Sequence, residues 1–228
     1  MGANPSLEQS NGPSDSPAVF DRLFDWAVAA LLGIAGLLSA LVGWSLYYVV
    51  DRGTVADVIA AGEFRSDVLT EPQAVDLLSA LSQWVGLGLV AVGILSVAVG
   101  VAVVVAHGRA REKGQPTPRW ILGVVGAMVG TLLGFVPLSP ALGGAVAGYL
   151  DPDPAASGLG VGIIAGLFAA LPAVVITLFV GAGLVTGLPA GFVPAAAAVF
   201  AVAVLFSLAY LVGLSALGGY LGRWVRDN

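Results

Sequence analysis

Cysteine is absent from the chain. Disulfides, thiolate metal sites and cysteine nucleophiles are excluded with it. Histidine occurs once, at His107, which excludes a multi-histidine metal centre. Charge is scarce too. Asp, Glu, Lys and Arg make up 10% of the 228 residues, against about 25% in a soluble domain. So few charges cannot cover a water-facing surface, and lipid must solvate much of the chain. The net charge of −5 leaves no general basic footprint for nucleic acid.

What is present is apolar. Hydrophobic residues reach 58% and the mean hydropathy is +0.96. Eight of the nine basic residues are Arg, and Gly, Ala and Val abound, as in a GC-rich genome. The acidic exposed segments suit a salt-loving organism. Residues 1–19 are rich in Pro, Ser, Asn and Gly without apolar periodicity, and read as a disordered tail. The tail carries Glu8 and Asp15 but no Lys or Arg, so it is not a signal peptide.

A helical span needs about 20 apolar residues to cross a ~30 Å hydrocarbon core. Segments 26–50, 83–106, 159–188 and 194–222 qualify, and 120–136 comes close. Pro172 should kink the fourth of these long runs in chain order, and Pro194 suits the start of the last. Between the third and fourth runs, Pro137, Leu138, Ser139 and Pro140 break the chain. Ser139 can cap a new helix over 140–150, with Pro140 in its first turn. Eleven residues at ~1.5 Å each reach roughly 16 Å, about half a bilayer. Asp151, Pro152, Asp153 and Pro154 then stop it.

The expected architecture is therefore an all-α, polytopic transmembrane helical bundle. It has six membrane helices with a short fourth. The alternative merges 120–150 into one bent span and gives five. Segment 51–82 carries six acids and two arginines, with a helix start at Thr54 and Asp57, a stop at Gly62, and a capping-box pattern at Thr70 and Gln73. It reads as an ordered helical cap. Arg109, Arg111, Lys113 and Arg119 form the densest basic cluster, which predicts a cytoplasmic linker. The N-terminus then lies inside, the acidic cap outside, and the protein in the cell membrane as a multi-pass component. The chain divides into a two-helix module over 20–108 with its cap at 51–82, a basic linker over 109–118, and a glycine-rich module over 119–228.

Small residues recur at spacing four: Gly126, Gly130 and Gly134; Gly144 and Gly148; Gly158, Gly162 and Gly166; Gly218 and Gly222. In lipid, helices associate through close van der Waals packing, which glycine permits. The faces would serve as an interface between copies, a pore seam or, most plainly, packing within one chain. Gly144 and Gly148 are expected to meet Gly158 and Gly162 across the Asp-Pro-Asp-Pro turn. The short helix is similar in form to the half-helices of transporters. Asp151 and Asp153 are too few for a calcium cage and read as solvated turn acids. His107 ends the second helix beside Arg109, where a cation complements the helix dipole.

None of the spans contains Asp, Glu, Lys, Arg or His. Ion-coupled carriers nearly always place such groups there, and membrane enzymes need them at their sites. No catalytic, cofactor-binding or metal residue is assigned. The interior polar groups are a few Ser and Thr, such as Ser96, Thr131, Thr177 and Ser207, plus Tyr210, most simply helix–helix hydrogen bonds. Trp26, Trp84, Trp120 and Trp224 sit at span ends as an aromatic belt.

The run Ser139-Pro140-Ala141-Leu142-Gly143-Gly144-Ala145-Val146-Ala147-Gly148-Tyr149-Leu150 resembles the signature of a family of uncharacterised haloarchaeal multi-helix membrane proteins. The ending Gly213-Leu214-Ser215-Ala216-Leu217-Gly218-Gly219-Tyr220-Leu221-Gly222 is similar to that family's C-terminus. The resemblance implies a halophilic archaeal membrane and no activity. The expected role is a non-enzymatic structural or interaction component, partnered by the lipid bilayer and by a second copy or an unidentified membrane protein. The rival is a channel or carrier for a small neutral solute that uses the broken helix at 137–140.

Overall fold

The computed structural model of the chain describes residues 16–62, 68–153 and 155–228. All regular structure among the described residues is α-helical. The helices are α1 Ser16–Val49, α2 Arg52–Ala60, α3 Glu71–Glu112, α4 Arg119–Leu132, α5 Ser139–Leu150, α6 Leu159–Gly187 and α7 Val193–Asp227. Four are long and apolar enough to cross a membrane: α1 from Asp25, α3, α6 and α7. At ~1.5 Å per residue, the 42-residue α3 reaches about 63 Å, so it outreaches the hydrocarbon core at both ends. Residues 1–15 of the expected tail lie outside the described residues, whereas 16–19 already belong to α1. The basic linker is shorter than expected, because α3 continues to Glu112.

α1 and α3 run antiparallel and touch backbone to backbone. A Cβ at Gly36 would stand 2.6 Å from the Gly93 carbonyl oxygen, and one at Gly86 would stand 2.7 Å from that of Gly43. The glycines recur every seven residues on each helix, the spacing of a left-handed pair. Ser39 adds a cross-helix hydrogen bond to the Leu89 carbonyl at 2.8 Å. α3 then packs on α6, where a Cβ at Gly187 would stand 2.8 Å from Leu77 Cα. The two expected modules thus share a long face.

The cap follows its local chemistry. Asp51 is the N-cap of α2, accepting from the Thr54 backbone N–H at 2.8 Å, so the helix starts three residues earlier than expected. Gly62 ends it at φ 79°, where an L side chain would be strained. Thr70 and Gln73 make the capping box that starts α3. Val55 and Ile59 bury themselves against Ala74 and Val75 and hold α2 on the α3 stem.

α4 and α5 form a short hairpin. Their 14 and 12 residues reach about 21 Å and about 18 Å, less than a full crossing for either. Arg119 at the start of α4 pairs with Asp151 and Asp153 at the end of α5, so the hairpin leaves from one end of the bundle and returns to it. A single bent span over 120–150 is thereby corrected. α4 ends at Leu132, and Gly134 lies beyond it rather than on its face. Ser139 is not the cap of α5: Leu138 is, in the left-handed region at φ 67°. The tip backbone satisfies itself through Leu133 to Val129, Gly134 to Thr131, Val136 to Leu133 and Ser139 to Val136, all N–H to carbonyl. Such internal pairing is what a turn placed within hydrocarbon would require, since lipid tails supply no partner. Phe135 and Leu138 at the tip are exposed and apolar.

Candidate functional site

The described polar chemistry gathers in two places: a charged knot at the end where α4 begins, and a small cavity beneath the broken helix. The knot starts at Asp25, which is 2% exposed at the foot of α1. One carboxylate oxygen meets His107 Nδ1, and the other accepts from Arg111 Nη2 at 2.7 Å. His107 Nε2 lies 3.3 Å from the Thr117 hydroxyl. His107 is thus not a helix-end cation facing water. It lies inside α3 and ties α1, α3 and the linker together. A carboxylate–imidazole–hydroxyl order also occurs in nucleophile relays. Here the Asp25 carboxylate is shared between His107 of α3 and Arg111 one turn further along it. The arrangement acts as a clasp.

Asp151 is likewise corrected, while Asp153 remains a half-exposed turn acid. Asp151 is 1% exposed. Its carboxylate lies 3.3 Å from Arg119 Nε, and Asp153 accepts from Arg119 Nη2 at 2.6 Å. Arg223 of α7 is buried and donates to the carbonyls of Asp151 at 3.1 Å and Asp153 at 2.8 Å. Arg226 donates to the Asp151 carbonyl as well. Two guanidinium groups from α7 therefore complete the C-terminal carbonyls of α5, where a cation also suits the dipole. The acids are spent on these partners rather than on a metal. No group of three His, Cys, Asp or Glu able to hold a metal occurs among the described residues.

The glycine rows converge on α7. Cβ atoms at Gly144 and Gly148 would overlap the backbones of Ser215 and Gly219, and those at Gly218 and Gly222 the backbones of Ala141 and Ala145. Gly158 and Gly162 meet Gly219 and Ser215. Both rows thus pack on the same stretch of α7, not on each other across the turn as expected. Gly166 faces Val212, with a Cβ distance of 2.7 Å. Gly126 faces the Gly143 carbonyl at 2.6 Å, and Gly130 faces Ser139 at 3.2 Å.

Beside this seam lies a half-open cavity of ≈ 230 Å³ between α4, α5, α6 and α7. Thr131, Ser139 and Ser215 line it among glycines, alanines, Pro140 and Leu211. Ser139 is 8% and Ser215 2% exposed. A second cavity of ≈ 340 Å³ between α1, α3, α4 and α6 is lined by Leu, Ile, Val and Phe. Its two hydroxyls, Ser96 and Thr131, donate back to Val92 and Ala127 of their own helices. The sequence marks Thr131 as an interior hydroxyl and Ser139 as a helix cap, neither as part of a cavity. Ser215 was passed over, although its spacing of four from Gly219 belongs to the same small-residue pattern. Asp25 and Arg223 carried no such signal, since each is a lone charge at a span end.

Comparison with known proteins is sparing. Residues 120–225, which hold the hairpin, the glycine seam and the cavity, match a family of unknown function, DUF5518. No curated protein and no solved structure matches the chain.

Proposed function

We propose that this chain is a non-enzymatic structural or interaction component of the cell membrane, with a cytoplasmic N-terminus and six membrane helices. The observation that carries the reading is the glycine seam. α5 lies against α7 with backbones in contact at Gly144, Gly148, Gly218 and Gly222. A helix so fixed serves as part of a wall rather than as a gate. The Gly126–Gly143 contact bars the way from the cavity toward the charged knot. Beyond it, Arg223 is held by Asp151, Asp153 and Asp227, which supports a rigid closed end. The exposed apolar face of α7, at Val199, Val202, Leu205 and Phe206, is available to lipid, to a second copy or to another membrane protein.

The test has two arms. Native mass spectrometry after mild-detergent purification should show a mass above the 22.8 kDa of one chain. Vesicles carrying the protein should swell in glycerol no faster than empty ones. A lone chain, or protein-dependent swelling, contradicts the proposal. The swelling result would favour the solute-channel reading.

A further inference from the structure

We propose that the cavity under the broken helix is a binding site for a small uncharged hydroxyl compound, held by Ser139 and Ser215. The first ground is a contrast among helix hydroxyls. Ser79, Ser82, Ser96, Thr131, Thr186 and Ser207 each donate to the carbonyl four residues back. That is the usual way for a hydroxyl in an apolar setting to satisfy itself. Ser139 and Ser215 are more than nine-tenths buried and, like the more exposed Ser45 and Thr177, make no such bond. Both line the same cavity, one from the start of α5 and one from the middle of α7. Neither hydroxyl is sealed away from that space, so both stay open to a guest, and two facing one space point to a ligand between them.

The second ground is what surrounds them. Asp, Glu, Lys, Arg and His are missing from the lining, so neither a cation nor an anion has a counter-charge there. The start of α5 would ordinarily offer free N–H groups to an anion. Here Ser139 N–H goes to Val136, Pro140 has none, and Ala141 and Leu142 both donate to Leu138. The donors are used up, which leaves a neutral guest. Ser139 and Ser215 can each donate and accept, while Thr131 has committed its proton to Ala127 and keeps only its oxygen to accept. A guest with several hydroxyls matches that set. Its carbons would lie on the walls formed by Gly130, Ala165, Ala169, Pro140 and Leu211.

Size is the third ground. The space of ≈ 230 Å³ is several times the ~30 Å³ share of one liquid water. A three-carbon polyol fits this scale, and glycerol is the natural probe. The site does not depend on the assembly role: binding at Ser139 and Ser215 needs neither a partner nor a path across the membrane.

The experiment measures thermal midpoints of the purified full chain in glycerol and in sucrose at equal osmolality. Both osmolytes stabilise by exclusion from the surface. Glycerol should add a saturable shift beyond sucrose, growing as the logarithm of one plus concentration over Kd. The Ser139→Ala, Ser215→Ala double variant should lose that extra shift while keeping the common one. As a second readout, Ala169→Cys, on the cavity wall and leaving both serines in place, supplies the only thiol in the chain. Methyl methanethiosulfonate, small and neutral, should label it, and glycerol should slow labelling by the factor one plus concentration over Kd. Equal midpoint shifts in parent and double variant, or labelling indifferent to glycerol, would overturn the site.

Discussion

A single methyl group distinguishes the glycines that hold this molecule together from those that merely occur in it. At Gly148 an added Cβ runs into the Gly219 backbone, which cannot rotate away as a side chain would. At Gly213 nothing lies within 4 Å of the added atom. Two forces of opposite sign act on a Gly→Leu change in a helix. Overpacking costs about 1–3 kcal/mol, and improved helix propensity returns up to ~1 kcal/mol. Gly148→Leu should therefore lower the melting midpoint in detergent, while Gly213→Leu should leave it unchanged or raise it. If the two variants melt alike, close backbone packing at Gly148 is not what stabilises α5. The row at Gly144 and Gly148 was legible as a packing face from spacing alone. Its partner was not, because α5, α6 and α7 all carry small residues at the same spacing, and only three-dimensional proximity selects α7. The pairs Gly36–Gly93 and Gly43–Gly86 escaped for a different reason: they repeat every seven residues, and only spacing four was sought.

At the scale of elements, helix starts were read best. Thr70 and Gln73 form the box that their order implies, because capping is local chemistry. The start of α2 moved to Asp51, since two capping side chains compete within three residues and the carboxylate accepts from both the Thr54 N–H and hydroxyl. Those bonds, led by the backbone N–H of Thr54, hold the Asp51 carboxyl below its ordinary 3.8. A carboxylate so lowered stabilises the fold fully above its ordinary value. The contribution fades as pH falls below 3.8 and is gone once pH passes under the native value. Amide exchange at Val55, relative to its intrinsic rate at each pH, should accelerate over that acid window in the parent. In Asp51→Asn, which can cap without titrating, the acceleration should be missing; equal acceleration in both would remove the cap from the explanation.

The hairpin is the element least legible in advance. Its break was evident from Pro137 and Pro140, but the strained cap at Leu138 was not, since leucine rarely takes a left-handed backbone. Nor does sequence alone say whether two helices of about 21 Å and 18 Å cross or turn back. The Arg119 pairs with Asp151 and Asp153 close the two helices into a hairpin whose ends meet. If the tip stops within hydrocarbon, a cysteine in place of Phe135 should resist charged thiol reagents applied from either face of a sealed vesicle. Labelling from the face opposite Gln115 would mean that the tip emerges and the hairpin crosses.

For the whole molecule, low charge and long apolar runs were enough to indicate a helical membrane protein. They were not enough to order its ends. The order comes from groups buried at the basic end: Asp25 with His107 and Arg111, His107 with Thr117, Arg119 with Asp151, and Arg223 with the Asp151 carbonyl. This chain of contacts places the foot of α1, the linker and the end of α7 at one end of the bundle. Asp51, α2 and the stem of α3 lie at the other. Charge asymmetry gives the orientation: the arginine-rich end should face the cytoplasm. The most direct measurement uses the absence of native cysteine. Single cysteines replace Asp57, Gln115 and Asn228, each exposed, and an impermeant thiol reagent is applied to intact cells and then to opened ones. Position 57 should label in intact cells, and 115 and 228 only after opening, together. Labelling of 115 and 228 from opposite sides would contradict the bundle described here.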